Sequence, residues 1–195
     1  MRSRKSTEVR KEEIVRAALS IVEQSGLDKL NINDIAAKIK LVPAAIYRHF
    51  TGREEIVAAL IEHIDKRLKY NLSQVNDVTG TPITKLKTLF ELHVTLLKEE
   101  AAIPRVLYYI LSSDRTPDLK ASMMSSVGFY VQQVRKLLSQ GQENGEVSPD
   151  IDVMAAAMMF LGMVQPLAIM SQVNKDVLDE YPEKLWQNYQ RSIRL

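Results

Sequence analysis

The sequence predicts an all-α protein, with a small N-terminal three-helix domain, a larger C-terminal helical domain and about nine helices in total. Glycine and proline each occur seven times in 195 residues, a combined share of about 7% against a usual value of roughly 12%, so the many tight turns of an all-β protein are not expected. Apolar residues recur at spacings of three and four. Five prolines fall at or just before the starts of successive periodic segments: Pro82, Pro104, Pro117, Pro149 and Pro182.

The first three predicted helices lie within the first 50 residues. The first begins near residues 7–8 and stops at Gly26, which can adopt a left-handed conformation. Asn31 and Asp34 form a capping arrangement at the start of a two-turn second helix, and Pro43 suits the first position of the third. Their apolar faces are Ile14, Ala18, Ile21 and Val22; Ile32, Ile35, Ala36 and Ile39; and Ile46 and Phe50.

A long fourth helix is predicted from Arg53 to a loop at residues 76–80, and five further helices follow it. The fourth has the apolar stripe Ile56, Leu60, Ile64, Leu68, Leu72 and Val75. The later stripes are Leu86, Phe90, His93 and Leu97; Val106–Leu111; Leu119, Met123, Val127, Tyr130, Val134 and Leu137; Val153–Met170; and Leu185, Trp186, Tyr189 and Ile193.

Composition excludes several classes of protein. The chain has no cysteine, so it has no disulfide, no Cys-ligated metal and no thiol nucleophile. It also lacks Glu-x-x-His pairs, phosphate-binding glycine loops and a serine nucleophile elbow. We therefore expect no catalytic residues, no metal site and no cofactor. Residues 1–11 are charged where a secretory signal would be apolar, which predicts a cytoplasmic protein.

Positive charge is concentrated at the N-terminus. Residues 1–53 contain 11 Lys or Arg and 6 Asp or Glu, whereas residues 54–195 contain 15 and 18. This asymmetry indicates that the first part meets a polyanion, although a solvated basic terminus would give the same counts.

The second and third helices, joined by a tight turn, form a helix-turn-helix arrangement whose last helix fits the major groove of DNA. Its outward-facing candidates are Pro43, Ala44, Tyr47 and Arg48. A generic helical hairpin has the same periodicity, so the pattern alone leaves both interpretations open.

Three stretches resemble the signature of TetR-family transcriptional repressors: Ile35-Ala36, Leu41-Val42-Pro43-Ala44-Ala45-Ile46-Tyr47-Arg48-His49-Phe50, and Arg53-Glu54-Glu55-Ile56. The resemblance covers residues 8–60 closely, and the remainder resembles the family in helix number, length and order. It implies a DNA-binding domain at residues 1–52 with a basic arm, and an effector-binding and dimerisation domain at residues 53–195.

By this resemblance, Tyr47 and His49 would donate hydrogen bonds to phosphates, Arg53 would contact the DNA backbone and Asn33 would lie near the groove. The bases would meet Val42, Pro43, Ala44 and Ala45. Because this face is apolar, it suits thymine methyl groups and predicts an A·T-rich operator, while Asn33 suits adenine and Arg48 suits guanine or phosphate. The arm residues are Arg2, Arg4, Lys5, Arg10 and Lys11; they would lie along DNA or remain solvated charge.

Two residues depart from the family pattern. Lys40 stands at the turn position where the family usually has glycine, and a left-handed lysine costs on the order of 1 kcal/mol. Val42 stands where Ser or Thr usually caps the recognition helix and contacts a phosphate, and valine can do neither.

Seven of the eight methionines lie between Met123 and Met170. Methionine adapts to irregular apolar cavities, so this region is predicted to hold a hydrophobic or aromatic effector. A soft core or a dimer interface would use the same residues, and the two histidines below could be ordinary core groups. The candidate pocket residues are His63, His93, Tyr108, Tyr109, Met123, Met124, Phe129, Phe160 and Met163.

The segment Val153–Met170 is apolar throughout except for Gln165. A helix apolar on all sides is buried on all sides, which its own domain on one face and a partner subunit on the other would achieve. With the last helix it would form the family's four-helix dimer seam, whose predicted residues are Ala155, Met159, Gly162, Leu185, Trp186 and Tyr189. A membrane span is disfavoured because the segment is short and contains Gly162 and Pro166.

These observations predict a homodimeric, ligand-responsive transcriptional regulator and not an enzyme. It would be a repressor that a hydrophobic effector releases from a palindromic double-stranded DNA operator. The alternative is a helical adaptor that binds proteins or a membrane and has no role on DNA.

Overall fold

The computed structural model describes residues 6–113 and 117–194, and no β-strand occurs within these ranges. The all-α prediction is confirmed. The described helices are α1 (Thr7–Ser25), α2 (Ile32–Lys38), α3 (Pro43–Ile46), α4 (Arg53–Asn76), α5 (Pro82–Glu99), α6 (Ile103–Ser112), α7 (Pro117–Glu143), α8 (Val153–Met170), α9 (Val177–Glu180) and α10 (Pro182–Ile193). A short 3₁₀ turn, Leu27–Lys29, lies between α1 and α2. Sequence periodicity missed α9, since four residues cannot display a helical stripe.

The chain divides into two compact units. The N-terminal unit comprises Met1–Asp65 and Ala102–Ala121, and the C-terminal unit comprises Lys66–Ala101 and Ser122–Leu195. The first turns of α4 belong to the N-terminal unit, as does α6, which contacts α1. This division by packing differs from the predicted division after residue 52. The assignment of DNA binding to residues 1–52 and of effector binding to residues 53–195 stays a prediction.

Helix α1 is the centre of the N-terminal unit. Its first turn is capped by Ser6, whose Oγ accepts a hydrogen bond from the Val9 N–H at 3.3 Å. Gly26 ends the helix with φ of 84° and ψ of 161°, a positive φ as predicted but an extended ψ instead of a left-handed helical one. The fully buried side chains of this unit include Ile14, Ala18, Val22, Ile35, Ala36, Ile46, Ile56 and Leu60.

An aromatic cluster holds the C-terminal unit together. The ring of Phe90 on α5 lies 6.1 Å from that of Phe160 on α8 and 6.3 Å from that of Trp186 on α10. Tyr189 packs edge-on against Phe160 at 5.7 Å, and its hydroxyl donates a hydrogen bond to the Ala156 carbonyl at 3.0 Å. These contacts pack α10 against α5 and α8.

Candidate nucleic-acid interface and regulatory surfaces

The turn between α2 and α3 keeps a geometry that favours glycine although a lysine occupies it. Lys40 has φ of 57°, so the turn adopts the left-handed conformation despite the cost that the sequence predicts for a lysine there. The Lys40 N–H donates to the Ala37 carbonyl at 3.1 Å, and the Leu41 N–H donates to the Ala36 carbonyl at 2.8 Å. Together these bonds close the C-terminus of α2 as a Schellman motif. At the other end of α2, Asn31 Oδ1 accepts from the Asp34 N–H at 2.9 Å, as predicted.

Helix α3 begins at Pro43 without a side-chain cap, since Val42 precedes it. Helical hydrogen bonding continues beyond Ile46, because the Phe50 N–H donates to the Ile46 carbonyl at 3.1 Å. Ile46 and Phe50 are buried, as their spacing predicts, and they attach α3 to the core of the unit.

The predicted DNA-contacting residues in and around α3 are largely exposed. Val42 and Tyr47 have exposed fractions of 66% and 56%; Pro43, Ala44 and Arg48 are also exposed, Ala45 and His49 are partly buried, and Asn33 on α2 is exposed. One nitrogen of His49, Nδ1, is buried and has no hydrogen-bond partner among the described residues.

Arg53 makes contacts within its own unit that the sequence did not predict. Its Nε donates to the Leu30 carbonyl at 3.0 Å and its Nη2 donates to the Leu27 carbonyl at 2.7 Å. Its guanidinium carbon lies 5.9 Å from the ring centroid of Tyr109. Arg53 therefore ties the first turn of α4 to the loop before α2, and its predicted contact with the DNA backbone stays a prediction.

A capping interaction that the sequence analysis missed lies just after α3. Glu55 Oε2 accepts from the Thr51 N–H at 2.6 Å and from Thr51 Oγ1 at 2.9 Å. These hydrogen bonds hold the pKa of the Glu55 carboxyl below its usual value. The signal was present in the sequence as a Thr with a Glu in the first turn of the following helix.

Not all residues of the predicted N-terminal arm belong to an arm. Arg10 and Lys11 lie within α1. Arg10 Nη1 pairs with Glu13 Oε2 at 2.7 Å, and the Lys11 ammonium lies 5.2 Å from the Phe50 ring centroid. The predicted DNA contacts of Arg4 and Lys5, like Arg2, lie outside the described residues.

The structure does not gather the predicted effector residues into one described site. His63, Tyr108 and Tyr109 belong to the N-terminal unit, and the other six belong to the C-terminal unit. Within the C-terminal unit, Phe160 and Met123 are buried, Met124 and Phe129 are exposed, and Met163 packs partly against the core. Their common role in binding an effector stays a prediction.

His93 has a hydrogen-bond partner inside the C-terminal unit. Its Nδ1 and the Tyr130 hydroxyl are 3.1 Å apart and hydrogen-bonded, and the two rings pack edge-on at 5.5 Å. Burial lowers the pKa of His93 to about 4 and raises that of Tyr130. The arrangement matches a satisfied core histidine, the alternative that the sequence left open.

A groove of about 270 Å³ lies between α5 and the α9–α10 segment. Phe90, Val94, Leu178 and Trp186 contribute its apolar lining. Two ion pairs join its sides: Lys87 Nζ lies 3.2 Å from Glu183 Oε2, and Lys98 Nζ lies 2.5 Å from Asp179 Oδ1. None of the nine predicted effector residues lines this groove.

Helix α8 has two unlike faces. Its buried face comprises Ala156, Ala157, Phe160, Val164 and Leu167. Its opposite face is exposed and mostly apolar, and includes the predicted Ala155, Met159 and Gly162. Met158, Ile169 and Met170 on this face, and Val173 just beyond it, are also exposed; the sequence pattern does not distinguish them from the rest of the helix. We call Ala155, Met158, Met159, Gly162, Ile169, Met170 and Val173 the α8 stripe.

Two predicted dimer residues require correction. Trp186 and Tyr189 have exposed fractions of 2% and 4%, because they fill the aromatic cluster of their own unit. They are not available to a partner subunit. Leu185 also packs partly against that core. An apolar stripe in a sequence predicts which residues are buried, but it does not show whether they pack in their own core or against a partner subunit.

Judged by length and composition only, helix α8 could cross a membrane, since its mean hydropathy is 1.9. Among the described residues it is the one helix of this kind. About a third of this helix, 33%, is buried in the protein's own core.

Within residues 6–113 and 117–194, no three His, Asp or Glu side chains are grouped as a metal site would require.

An exposed short helix held by a tight turn on a small three-helix core defines a helix-turn-helix DNA-binding protein. Residues 14–60 match the family of bacterial regulatory proteins called the tetR family. Residues 14–60 thus form a DNA-binding domain of the tetR family, as the sequence resemblance predicted, and the chain is a DNA-binding transcriptional regulator.

The chain is similar to several known proteins. It is 26% identical over 98 residues to the nucleoid occlusion factor SlmA of Idiomarina loihiensis, a match covering 50% of each chain. It is 25% identical over 148 residues to the transcriptional repressor KstR2 of Mycolicibacterium smegmatis, covering 74% of this chain and 70% of the repressor. The transcriptional regulator FadR of Bacillus subtilis, solved with stearoyl-CoA, superposes with a TM-score of 0.79 at 18% identity, covering 94% of this chain and 99% of FadR. By their names, KstR2 is a transcriptional repressor and FadR is a transcriptional regulator.

Proposed function

We propose that this protein is a homodimeric transcriptional repressor, acting in the cytoplasm, which binds a palindromic operator through α3 and is released by a hydrophobic small molecule. The observation that carries the proposal is the exposed apolar start of α3, Val42 to Ala44, on a TetR-family helix-turn-helix. Methyl and ring carbons in the major groove favour thymine methyl groups. The operator half-sites should therefore be A·T-rich.

Dimerisation is supported by the α8 stripe. Contiguous exposed apolar residues on a soluble protein mark an interaction surface. A two-fold contact between equivalent α8 helices would cover both stripes at once, and Ala155 with Gly162 would allow close approach of the two backbones. Two α3 helices would then read two half-sites about one helical turn apart, roughly 34 Å.

Binding-site selection with the purified protein, followed by fluorescence anisotropy at several salt concentrations, tests DNA binding. We expect a palindromic, A·T-rich consensus and an affinity that falls steeply with salt. A G·C-rich consensus would overturn the assignment of the α3 face. A monomer on a sizing column with no salt-sensitive binding to any duplex would overturn the proposed function and favour the adaptor alternative.

The effector is proposed to have a long apolar portion. Methionines such as Met123 and Met163 lie in the core of the C-terminal unit or at its edge, and they adapt to ligands of irregular shape. The similar fold of a regulator solved with stearoyl-CoA makes fatty acyl-CoA thioesters the first class to test. Release requires that the effector bind the DNA-competent and released states with different affinity, and a 100-fold effect needs about 2.7 kcal/mol.

A thermal-shift series with stearoyl-CoA, stearate and free CoA tests this class. At 100 times its dissociation constant a ligand adds about 2.7 kcal/mol to stability. We expect stabilisation by stearoyl-CoA but not by free CoA, with loss of operator binding at the same concentrations. Stabilisation by free CoA alone would contradict an apolar effector, and no response to either thioester or acid would exclude this ligand class.

A further inference from the structure

Lys40, in the N-terminal unit, has a backbone conformation that is unfavourable for a lysine. Its φ of 57° is the one positive value outside glycine in residues 6–113 and 117–194. The Schellman hydrogen bonds of Lys40 and Leu41 fix it there. Glycine is favoured at this position because it has no Cβ to collide with the backbone, so a lysine lowers the stability of the turn.

Nothing in the described part of the chain uses the Lys40 side chain. It is exposed, and its ammonium group makes no hydrogen bond or ion pair with another described residue. The acidic residue on α2, Asp34, accepts a hydrogen bond from Asn31 Nδ2 at 2.7 Å. Inside the unit only the backbone hydrogen bonds of the turn offset the unfavourable conformation, and the lysine side chain adds nothing to them, which makes Lys40 a candidate functional residue.

The position of Lys40 in the chain indicates what that function is. Residues 41–45, which lead into and form the first turns of α3, are all apolar: Leu41, Val42, Pro43, Ala44 and Ala45. None of them has a side-chain donor for a phosphate. Lys40 is the first residue before this run that does, and its ammonium is free to reach outward from the turn.

We propose that Lys40 binds a DNA phosphate beside the N-terminus of α3, supplying the backbone contact that Val42 cannot make. The left-handed turn directs the chain into α3 and leaves the lysine exposed next to the base-reading face. This inference rests on the proposed DNA binding and adds a phosphate contact to it.

Three variants at this position separate charge from backbone strain. Lys40→Arg keeps the charge, Lys40→Asn removes it but tolerates the left-handed conformation, and Lys40→Gly removes both the charge and the strain. Each is titrated by fluorescence anisotropy against the selected operator and a scrambled duplex at several salt concentrations, and each is melted without DNA.

We expect Lys40→Gly to melt roughly 2 to 4 °C higher than the parent protein yet to bind both duplexes about tenfold more weakly. The slope of log affinity against log salt should fall by about 0.9 for each lysine lost, hence by about 1.8 per dimer. Lys40→Asn should lose affinity to the same extent, and Lys40→Arg should bind like the parent.

Two outcomes overturn the role of Lys40 while leaving the proposed function intact. One is a Lys40→Gly protein with parental affinity and salt slope. The other is a Lys40→Arg protein that binds as weakly as Lys40→Asn, because the charge would then not be what binds. If the parent protein binds no duplex at all, the proposed function itself fails, so the two failures are distinguishable.

Discussion

The side chain of Arg53 links the first turn of α4 to the segment between α1 and α2. Its guanidinium donates to carbonyls 23 and 26 residues earlier in the chain, which closes the loop between α1 and α2 against the first turn of α4. Hydrogen bonds from a charged donor to backbone carbonyls are among the stronger ones in proteins. The sequence could identify Arg53 as a functional candidate, but it could not reveal carbonyl partners so distant in the chain.

Replacing Arg53 with Gln should lower the free energy of unfolding by about 1 to 2 kcal/mol, because the carbonyls of Leu27 and Leu30 lose their charged hydrogen-bond donor. Urea denaturation followed by circular dichroism measures this change. Arg48→Gln is the matched control, because Arg48 is exposed in the turn that follows α3 and its loss should leave stability unchanged. Unchanged stability of Arg53→Gln together with a weaker salt dependence of DNA binding would instead support the predicted phosphate contact.

His93 makes the C-terminal unit sensitive to acid. Burial lowers its pKa from 6.5 to about 4, so between these values the unfolded chain binds a proton that the folded protein does not. The stability associated with neutral His93 is present above pH 6.5 and is lost as the pH falls toward 4.

Urea denaturation between pH 7 and 4 should therefore show a decline of stability that is reduced in a His93→Gln variant, because Gln does not titrate. Nuclear magnetic resonance titration of the imidazole measures the pKa directly. Tyr130→Phe is the companion variant, since it removes the 3.1 Å hydrogen bond and keeps the ring. A His93 that titrates near 6.5 in the folded protein would contradict this account.

At the scale of elements, the two ends of α3 are not equally stabilised by the rest of the unit. Its C-terminal side is anchored by buried Ile46 and Phe50, but its N-terminus has only Pro43, which fixes the backbone without supplying an acceptor. The first N–H groups of α3 therefore have no side-chain partner from Val42.

Val42→Thr should place a hydroxyl at the N-cap and stabilise the unit by about 1 kcal/mol. The expected observations are a higher urea midpoint and slower hydrogen exchange of the α3 amides. Val42→Ala is the control, because alanine is equally unable to cap. If Thr and Ala variants behave alike, the N-terminus of α3 does not limit stability.

The helix starts were predictable because their determinants are local. Asn31, Pro43 and Pro82 each specify a cap or a first turn within three residues. The buried faces followed from apolar spacing in the same way. What each face packs against depends on contacts between residues far apart in the chain. For this reason the sequence predicts Trp186 and Tyr189 at a partner subunit, whereas they pack in the core of their own unit.

At the scale of the whole molecule, the α8 stripe is the apolar surface on which the proposed dimer depends. Met159, with an exposed fraction of 53%, lies in its middle. A charge at the centre of a two-fold apolar contact would be buried beside its own copy, which is strongly unfavourable.

Met159→Glu should therefore convert the protein to a monomer without unfolding it, because the residue is exposed in the protomer. Sedimentation velocity measures the change in mass, and circular dichroism checks the fold. Gln140→Glu, at an exposed position on α7, is the charge-matched control and should remain dimeric. A dimeric Met159→Glu protein would place the subunit contact elsewhere.

If the α8 stripe is the dimer contact, the operator occupancy of the proposed repressor depends on the cellular concentration of the chain. If two chains must meet before this surface is shielded from water, then at low expression the dimer population rises with the square of the free-chain concentration. Halving the gene dosage would lower operator occupancy by more than half, so the regulated genes would respond to the supply of their repressor as well as to its ligand.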